Sequence, residues 1–280
     1  MKKILVPVDF SQKSEEALKV AAKIARKMDG EIYVLHLLDI PSGEIDIIEG
    51  NQVPKGPMAM MLFERTHEKF DEFLDKDYLD NIPVYEEVMT NAPVEGISEF
   101  AQKNNIDFIV MGSHGTSGLE EFFVGSNTEK VVRTSKIPVL VIKKPANDFK
   151  VEKVVVAGKF LGKNMTEFKK VIEFLKIFNP EIYLLRVNTI SNFKSTKELE
   201  EVFDNFLKKV PEYPDLSPVI YNDYTVQEGI FNFAEKVDAD IIALATRGRQ
   251  GIMHFLTDSI AENVVNAAKR NILTIKVKKT

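Results

Sequence analysis

The residues best placed to do chemistry are glycines and one serine that follow an apolar run. The apolar run spans residues 106–111 and is typical of a strand buried on both faces. A helical pattern follows over 126–134. Between a strand and a helix, backbone N–H groups and the positive end of the helix dipole can bind a phosphate. The residues of this turn are Gly112, Gly115, Gly125 and Ser126.

Each of these residue types suits an anion site for a separate reason. Gly112 and Gly115 would let the main chain turn sharply and approach a ligand without an intervening Cβ. Gly125 and Ser126 fall where the helix begins, so they would supply backbone amides and one hydroxyl. A side chain at 112, 115 or 125 would occupy the volume of the anion. Glycines that only serve tight turns, and a Ser126 that only caps the helix, are the alternatives.

Other candidate groups point away from catalysis and from metal binding. The four histidines, among them His36 and His114, show no metal-ligand spacing, and the absence of cysteine removes disulfides, thiolate catalysis and Cys-ligated zinc. No lysine follows the glycines as it does in a Walker A loop. We therefore predict no catalytic residue and no metal ligand. Asp9, at the end of the first apolar run, either contacts a ligand or caps the following helix.

Composition limits the class of protein. The chain has 280 residues, of which 44% are hydrophobic and 28% charged, as in ordinary soluble globular proteins. Its net charge of -5 and the lack of a dense Lys/Arg stripe argue against nucleic acid as a partner. No apolar run reaches about 18 residues. We therefore expect a cytoplasmic protein without a membrane partner.

Apolar strands and amphipathic helices alternate through the first half of the chain. This order is typical of a doubly wound parallel sheet, in which ligands bind at the carboxyl ends of strands. The strands are expected at 3–8, 31–38, 84–89, 106–111 and 139–142. The helices are expected from the N-cap Ser11 to the terminating Gly30, over 61–79, from Pro93 to about Asn104, and over 126–134.

The segment 39–60 interrupts this pattern. Its prolines and glycines indicate a loop or mobile insertion rather than a secondary-structure element. In the helix expected after it, Leu62, Phe70 and Phe73 are predicted to be core residues.

The second half repeats the first. Lys153 to Ala157 matches Lys3 to Pro7, and 181–185 matches 31–35, both at an offset of 150 residues. Further along the chain the offset falls to 133, so the second copy has largely lost the insertion. The chain is therefore interpreted as a tandem duplication, with domains at 1–146 and 151–280.

These motifs resemble the universal stress protein family. The spacing Gly112-x2-Gly115-x9-Gly125-Ser126 fits that family's nucleotide-binding signature, and the opening 4–11 and the run 137–142 agree with it. The resemblance implies an α/β fold of two tandem doubly wound five-stranded parallel sheets, similar to the Rossmann and adenine nucleotide alpha hydrolase folds. It also implies ATP, with or without Mg²⁺, as the ligand.

The resemblance also assigns roles to individual residues. Asp9 would hydrogen-bond the ribose or the adenine edge, and Pro7 and Leu37 would line the base pocket. His114 occupies a variable position and faces either the phosphates or solvent. The contacts to phosphates and ribose would come from Met111, Gly112, Gly115, Gly125, Ser126 and Asn127.

The second copy departs from the signature. Gly248 and Ser259 survive there, but position 112 becomes Ala245, position 125 becomes Asp258, and Asp9 becomes Lys159. A carboxylate at 258 would cap its own helix and repel a phosphate. We therefore predict that the second site is closed to nucleotide and that Lys159 pairs with Asp258.

By this resemblance the protein is a non-catalytic, ATP-binding stress-response protein in which nucleotide in the first half sets conformation or partner affinity. An ATP-hydrolysing or adenylyl-transferring enzyme, and a nucleotide-free interaction scaffold, are the alternatives. The terminal strands 139–142 and 273–277 are apolar edges that invite pairing, and the resemblance implies that they meet in an antiparallel contact. The two halves would then form a pseudo-dimer within one chain, and two chains could form a homodimer.

Overall fold

The structure is a computed structural model that describes residues 2–48, 51–90, 92–113, 124–162, 165–246 and 258–276. Within these ranges strands and helices alternate, which confirms the predicted α/β class. The strands of the first half are β1 (Lys3–Pro7), β2 (Glu31–Leu38), β3 (Ile45–Ile48), β4 (Asn51–Pro54), β5 (Val84–Thr90), β6 (Phe108–Gly112) and β7 (Val139–Ile142). Its helices are α1 (Gln12–Met28), α2 (Pro57–Leu74), α3 (Pro93–Lys103) and α4 (Ser126–Thr134).

The second half reproduces this order without the β3–β4 pair. Its strands are β8 (Lys153–Ala157), β9 (Glu181–Asn188), β10 (Leu216–Asn222), β11 (Ile241–Thr246) and β12 (Asn271–Lys276). Its helices are α5 (Met165–Lys176), α6 (Thr196–Leu207), α7 (Val226–Lys236) and α8 (Asp258–Ala267). Strands β8 and β9 lie 150 residues after β1 and β2, as the sequence offset predicts.

One ten-stranded sheet runs through both halves in the order β10-β9-β8-β11-β12-β7-β6-β1-β2-β5. The five strands within each half are mutually parallel, which confirms two doubly wound five-stranded sheets. The two sheets join where β7 and β12 pair antiparallel, with Leu140 opposite Leu273. In each half the strand order reverses beside the first strand, between β1 and β6 and between β8 and β11.

The core lies on both faces of this sheet. Successive residues of β1 point to opposite faces, so Ile4 packs in one hydrophobic cluster and Leu5 in the other. The first cluster contains side chains of α1, α2, α5 and α6, and the second contains side chains of α3, α4, α7 and α8. The central strands are therefore covered on both faces, which explains their continuous apolar sequences.

The start and the end of α1 are set by local chemistry. Ser11 is the N-cap, as predicted, and its Oγ accepts a hydrogen bond of 3.2 Å from Ser14 N. The predicted stop at Gly30 is wrong in detail, because Asp29 adopts the left-handed conformation that ends the helix (φ 50°). Position 30 requires glycine for another reason, since a Cβ there would lie 2.6 Å from the carbonyl oxygen of Lys2.

The interpretation of 39–60 as a loop is also wrong, because β3 and β4 pair there as an antiparallel hairpin. The Glu44 carboxylate before the hairpin accepts a 3.0 Å hydrogen bond from Ala59 N in the first turn of α2. This contact from outside the helix lets α2 begin at Pro57, four residues earlier than the predicted residue 61. Phe70 and Phe73 are buried as predicted, whereas Leu62 is only half-buried.

Candidate functional site

A cavity opens at the carboxyl ends of β1, β2 and β6, beside the point where the strand order of the first half reverses. Its volume is about 270 Å³. The N-terminal turns of α3 and α4 close its sides. Residues from these elements line it: Pro7, Val8, Asp9, Ser14, Leu35, His36, Leu37, Pro93, Ile97, Met111, Gly112, Gly125, Ser126, Asn127 and Thr128. This is the place where doubly wound sheets bind their ligands.

Eight of the ten residues predicted as nucleotide contacts lie together on this lining. They are Pro7, Asp9, Leu37, Met111, Gly112, Gly125, Ser126 and Asn127. The other two, His114 and Gly115, lie outside the described residues. The fold thus brings strand ends from distant parts of the sequence to one cavity.

The first turn of α4 is held so that its amides border this cavity. Gly125, the N-cap, has an extended backbone and provides no side-chain cap, while its own N–H donates to Ser113 O at 2.6 Å. Thr128 Oγ1 donates to Gly112 O at 3.0 Å and ties the helix to the end of β6. The N–H groups at positions 126 to 128 precede the helical hydrogen-bond ladder and carry the positive end of the dipole. They can therefore bind an anion.

Asp9 was predicted either to contact a ligand or to cap the following helix, and in the structure it supports the cap of α1 while Ser11 itself is the N-cap. Its Oδ1 accepts a 3.1 Å hydrogen bond from Ser11 N, which orders the turn between β1 and α1. Phe10 lies in the left-handed region in this turn (φ 62°), an unfavourable backbone for a residue with a Cβ. Its ring packs against Phe70, with the centroids 5.1 Å apart. Asp9 also lines the cavity, so the two alternatives are compatible in geometry.

His36 was not predicted as a site residue, although it lines the cavity. Its Nδ1 lies 2.8 Å from the carbonyl oxygen of Val8, so this nitrogen carries the proton and donates. Burial lowers the pKa of His36, and the charge of Lys69 lowers it further, while the Val8 carbonyl and Asp9 act in the opposite sense. The neutral ring therefore keeps Nε2 as an acceptor. In the sequence, the position of His36 directly before Leu37, at the end of a strand, could have indicated that His36 lines the site.

Gly112 is required for a reason other than the predicted one. A Cβ at this position would lie 2.6 Å from the carbonyl oxygen of Lys13 and 2.9 Å from its carbonyl carbon. The first turn of α1 therefore packs directly on the end of β6. Clearance for this helix is by itself sufficient to demand glycine here.

The second half has a much smaller cavity at the equivalent place, of about 20 Å³. It lies at the ends of β8 and β9 beside α7. In place of Asp9 and His36 it is lined by Lys159 and Arg186. Several predictions for the second site fall outside the described residues. They concern the Lys159–Asp258 ion pair, Gly248, and the side chains of Ala245, Asp258 and Ser259.

The described ranges offer neither a metal-binding cluster nor a membrane-spanning helix. No group of three or more His, Cys, Asp or Glu side chains there is arranged to hold a metal ion. None of the helices in those ranges combines the length and the apolar character that crossing a membrane requires.

Comparison with known proteins matches both halves to one family. The sequence matches the universal stress protein family over residues 1–143 and again over 153–276. Universal stress protein MJ0531 of Methanocaldococcus jannaschii is 32% identical over 52% of this chain and 85% of its own length. Universal stress protein MJ0577 of the same organism is 30% identical over 51% of this chain and 95% of its own length.

A solved structure resembles the chain from end to end. It is a universal stress protein from Archaeoglobus fulgidus, with a TM-score of 0.71, 20% identity and 98% of both chains covered. At this identity the likeness concerns the fold. It extends over both halves together.

Proposed function

This chain belongs to the universal stress protein family, and from that premise we propose that its N-terminal half, residues 1–146, binds ATP. Bound nucleotide would set the conformation or the partner affinity of a stress-response protein that is not a dedicated enzyme. Residues 151–280 would form a second domain that does not bind nucleotide.

The observation that carries the proposal is the 270 Å³ cavity that ends at the first turn of α4. Its size is close to the lower end of the range of about 300–1,000 Å³ for small-molecule pockets. One wall is apolar, with Leu37, Ile97 and Met111, and suits a base. The lining also includes Ser126 and Asn127 in the first turn of α4, whose amides suit phosphates.

The lining residues then acquire specific roles. The adenine ring would lie against Pro7 and Leu37, with Asp9 accepting a hydrogen bond from the ribose or the base. His36 Nε2 is an additional acceptor on that side. Phosphate oxygens would accept from the N–H groups at 126 and 127 and from the Ser126 hydroxyl. A Mg²⁺ ion that arrives with the nucleotide would neutralise phosphate charge.

The second half lacks the features that we assign to ATP binding in the first half. The cavity that the described residues form there measures only about 20 Å³, which is small for a nucleoside, and Lys159 stands where Asp9 would accept a hydrogen bond. We therefore expect one nucleotide per chain.

Two alternatives make different predictions. An adenylyl-transferring or ATP-hydrolysing enzyme needs a positioned base or a glycine-rich loop after the first strand. That loop reads Asp9-Phe10-Ser11-Gln12-Lys13-Ser14, without glycine, and the Asp9 carboxylate already accepts from Ser11 N. A nucleotide-free scaffold would not respond to ATP at all.

Thermal unfolding with and without ATP and Mg²⁺, followed by single-turnover hydrolysis, separates the three. At 100 times the Kd, ATP should stabilise the native state by about 2.7 kcal/mol. Gly125→Asp should abolish this shift because its carboxylate would compete for the α4 amides. Gly43→Asp is the matched control, since nothing lies within 4 Å of a Cβ at Gly43.

The outcomes distinguish the three hypotheses of a binding protein, an enzyme and a scaffold. A shift that is lost in Gly125→Asp, kept in Gly43→Asp and unaccompanied by turnover supports the binding protein. Turnover in single-turnover assays supports the enzyme, and no shift at saturating ATP supports the scaffold.

We also propose that the halves act as a pseudo-dimer within one chain and that chains form homodimers. The terminal strands β7 and β12 pair with each other, so the open edges of the sheet are β5 and β10. Association between chains would have to use those edges or the helix layers. Sedimentation velocity over a concentration series tests the homodimer.

A further inference from the structure

The guanidinium of Arg186 is buried, and two of its nitrogens have no hydrogen-bond partner among the described residues. Arg186 occupies the position in β9 that His36 occupies in β2, and only 8% of its surface is exposed. Its Nε and Nη1 are buried and make no hydrogen bond in the described part of the chain.

A buried guanidinium without an anion is costly. Burial lowers the pKa of Arg186, yet an arginine side chain keeps its proton at any physiological pH. An uncompensated charge and two unsatisfied donors in the interior each destabilise the folded state. Proteins place such a group where a counter-charge can neutralise it.

The small cavity of the second half adjoins this side chain. Its charged lining residues in the described ranges are Lys159 and Arg186, and both are cationic. Its volume of about 20 Å³ exceeds the roughly 10–15 Å³ that one water needs. A single compact group can therefore fit in this cavity.

We propose that this cavity is a binding site for one compact anion, either a halide or the head of an oxyanion, with Arg186 as its main partner. A water molecule could satisfy a donor there but could not neutralise the charge. The first half has Asp9 and His36 at the equivalent positions, so only the second half offers this chemistry. The inference does not depend on ATP binding in the first half.

Chloride-35 NMR line broadening on the full chain tests the proposal directly. The wild-type protein should broaden the chloride line saturably, because bound chloride relaxes fast. Arg186→Met removes the charge at similar length and should weaken chloride binding by roughly tenfold or more. Lys197→Met removes an exposed cation on α6 and should leave binding unchanged.

Competition identifies the kind of anion. Displacement of chloride by phosphate or acetate in wild type, but not in Arg186→Met, would support an oxyanion head as the ligand. Saturable chloride binding that neither displaces would support a halide. Equal broadening by wild type and Arg186→Met, or no saturable broadening, would overturn the proposal.

Two further measurements address misfolding of the methionine variant and chloride binding elsewhere on the chain. Arg186→His places the first-half residue in the second half, so it provides a second variant if the methionine variant does not fold, with the same expected loss. Chloride binding that persists in Gly125→Asp would exclude the α4 amides as its source. Loss of chloride binding in Gly125→Asp, with Arg186 intact, would contradict the assignment to the second half.

Discussion

The hydroxyl of Thr128 donates a hydrogen bond of 3.0 Å to the carbonyl oxygen of Gly112, across 16 residues of sequence. Thr128 is buried, and the bond joins the first turn of α4 to the last residue of β6. The amides proposed to bind phosphate belong to that same turn. Their position relative to the sheet therefore depends on this contact.

Thr128→Val should weaken both folding and ATP binding. The substitution keeps the shape of the side chain but leaves the Gly112 carbonyl without this donor, which costs about 1–3 kcal/mol of unfolding free energy. Because the α4 amides would also lose their anchor, we expect ATP affinity to fall roughly tenfold. Urea unfolding and calorimetric titration with ATP measure the two effects.

The matched control is Thr134→Val, six residues later on α4. Thr134 Oγ1 donates to Lys130 O within the helix and is exposed, so its replacement should change neither quantity by much. If Thr128→Val bound ATP as tightly as wild type, the α4 amides would not be positioned by this bond.

Gly112→Ala should destabilise the protein even without nucleotide. The new Cβ would meet the backbone of Lys13 at 2.6 Å, so α1 would have to shift away from β6, at about 1–3 kcal/mol. Denaturant unfolding of the nucleotide-free protein measures the loss. Gly43→Ala should be neutral by comparison. Unchanged stability in Gly112→Ala would mean that glycine is needed there only for the ligand.

Much of the fold was predictable because its signals are local and occur twice. The apolar runs at β1 and β2 recur at β8 and β9 with one offset, so each copy supports the interpretation of the other. Gly112 and Gly125 were expected where a strand ends and a helix begins, and the structure places them at the end of β6 and at the N-cap of α4. The strand ends then placed eight predicted residues on one cavity.

What escaped prediction depends on contacts between distant parts of the chain. The β3–β4 hairpin is short and flanked by glycine and proline, so turn chemistry dominates its local sequence. The early start of α2 requires the Glu44 carboxylate, which comes from outside that helix. The clash that fixes Gly112 arises from the first turn of α1, some 100 residues earlier. The burial of Arg186 likewise became visible only in the folded chain.

The stability of the protein should fall at mildly acidic pH through His36. Burial holds its pKa below the ordinary value of 6.5, so the unfolded chain takes up the proton more readily than the folded one. The free energy of unfolding is then at its full value above about pH 6.5. It declines as the pH falls through that value, until His36 protonates in the folded state as well.

His36→Asn should reduce this decline. The asparagine amide can donate to Val8 O as Nδ1 does, but it does not titrate. Urea unfolding at pH 5, 6 and 7 compares the slopes. His67→Asn alters an exposed histidine beside Glu86 and should keep the part of the slope that comes from His36. A slope unchanged in His36→Asn would assign the acid sensitivity to other groups.

The junction between the halves should depend on Asn271, at the start of β12. Its buried Oδ1 accepts from Lys143 N at 2.9 Å and from Lys144 N at 3.4 Å, just after β7. Asn271→Ala removes this acceptor and should lower the unfolding free energy by about 1–3 kcal/mol. Because the loss falls where the two sheets meet, hydrogen exchange should accelerate in β7 and β12 before it accelerates in β1 or β8.

The same substitution at Asn222, at the exposed outer end of β10, is the control. Asn222 Oδ1 accepts from Asn188 Nδ2 at 3.1 Å, so Asn222→Ala also removes one side-chain hydrogen bond. It lies far along the sheet from the junction and should leave exchange in β7 and β12 unchanged. If both variants accelerated exchange equally throughout the sheet, the halves would unfold as one cooperative unit and Asn271 would have no special part in joining them.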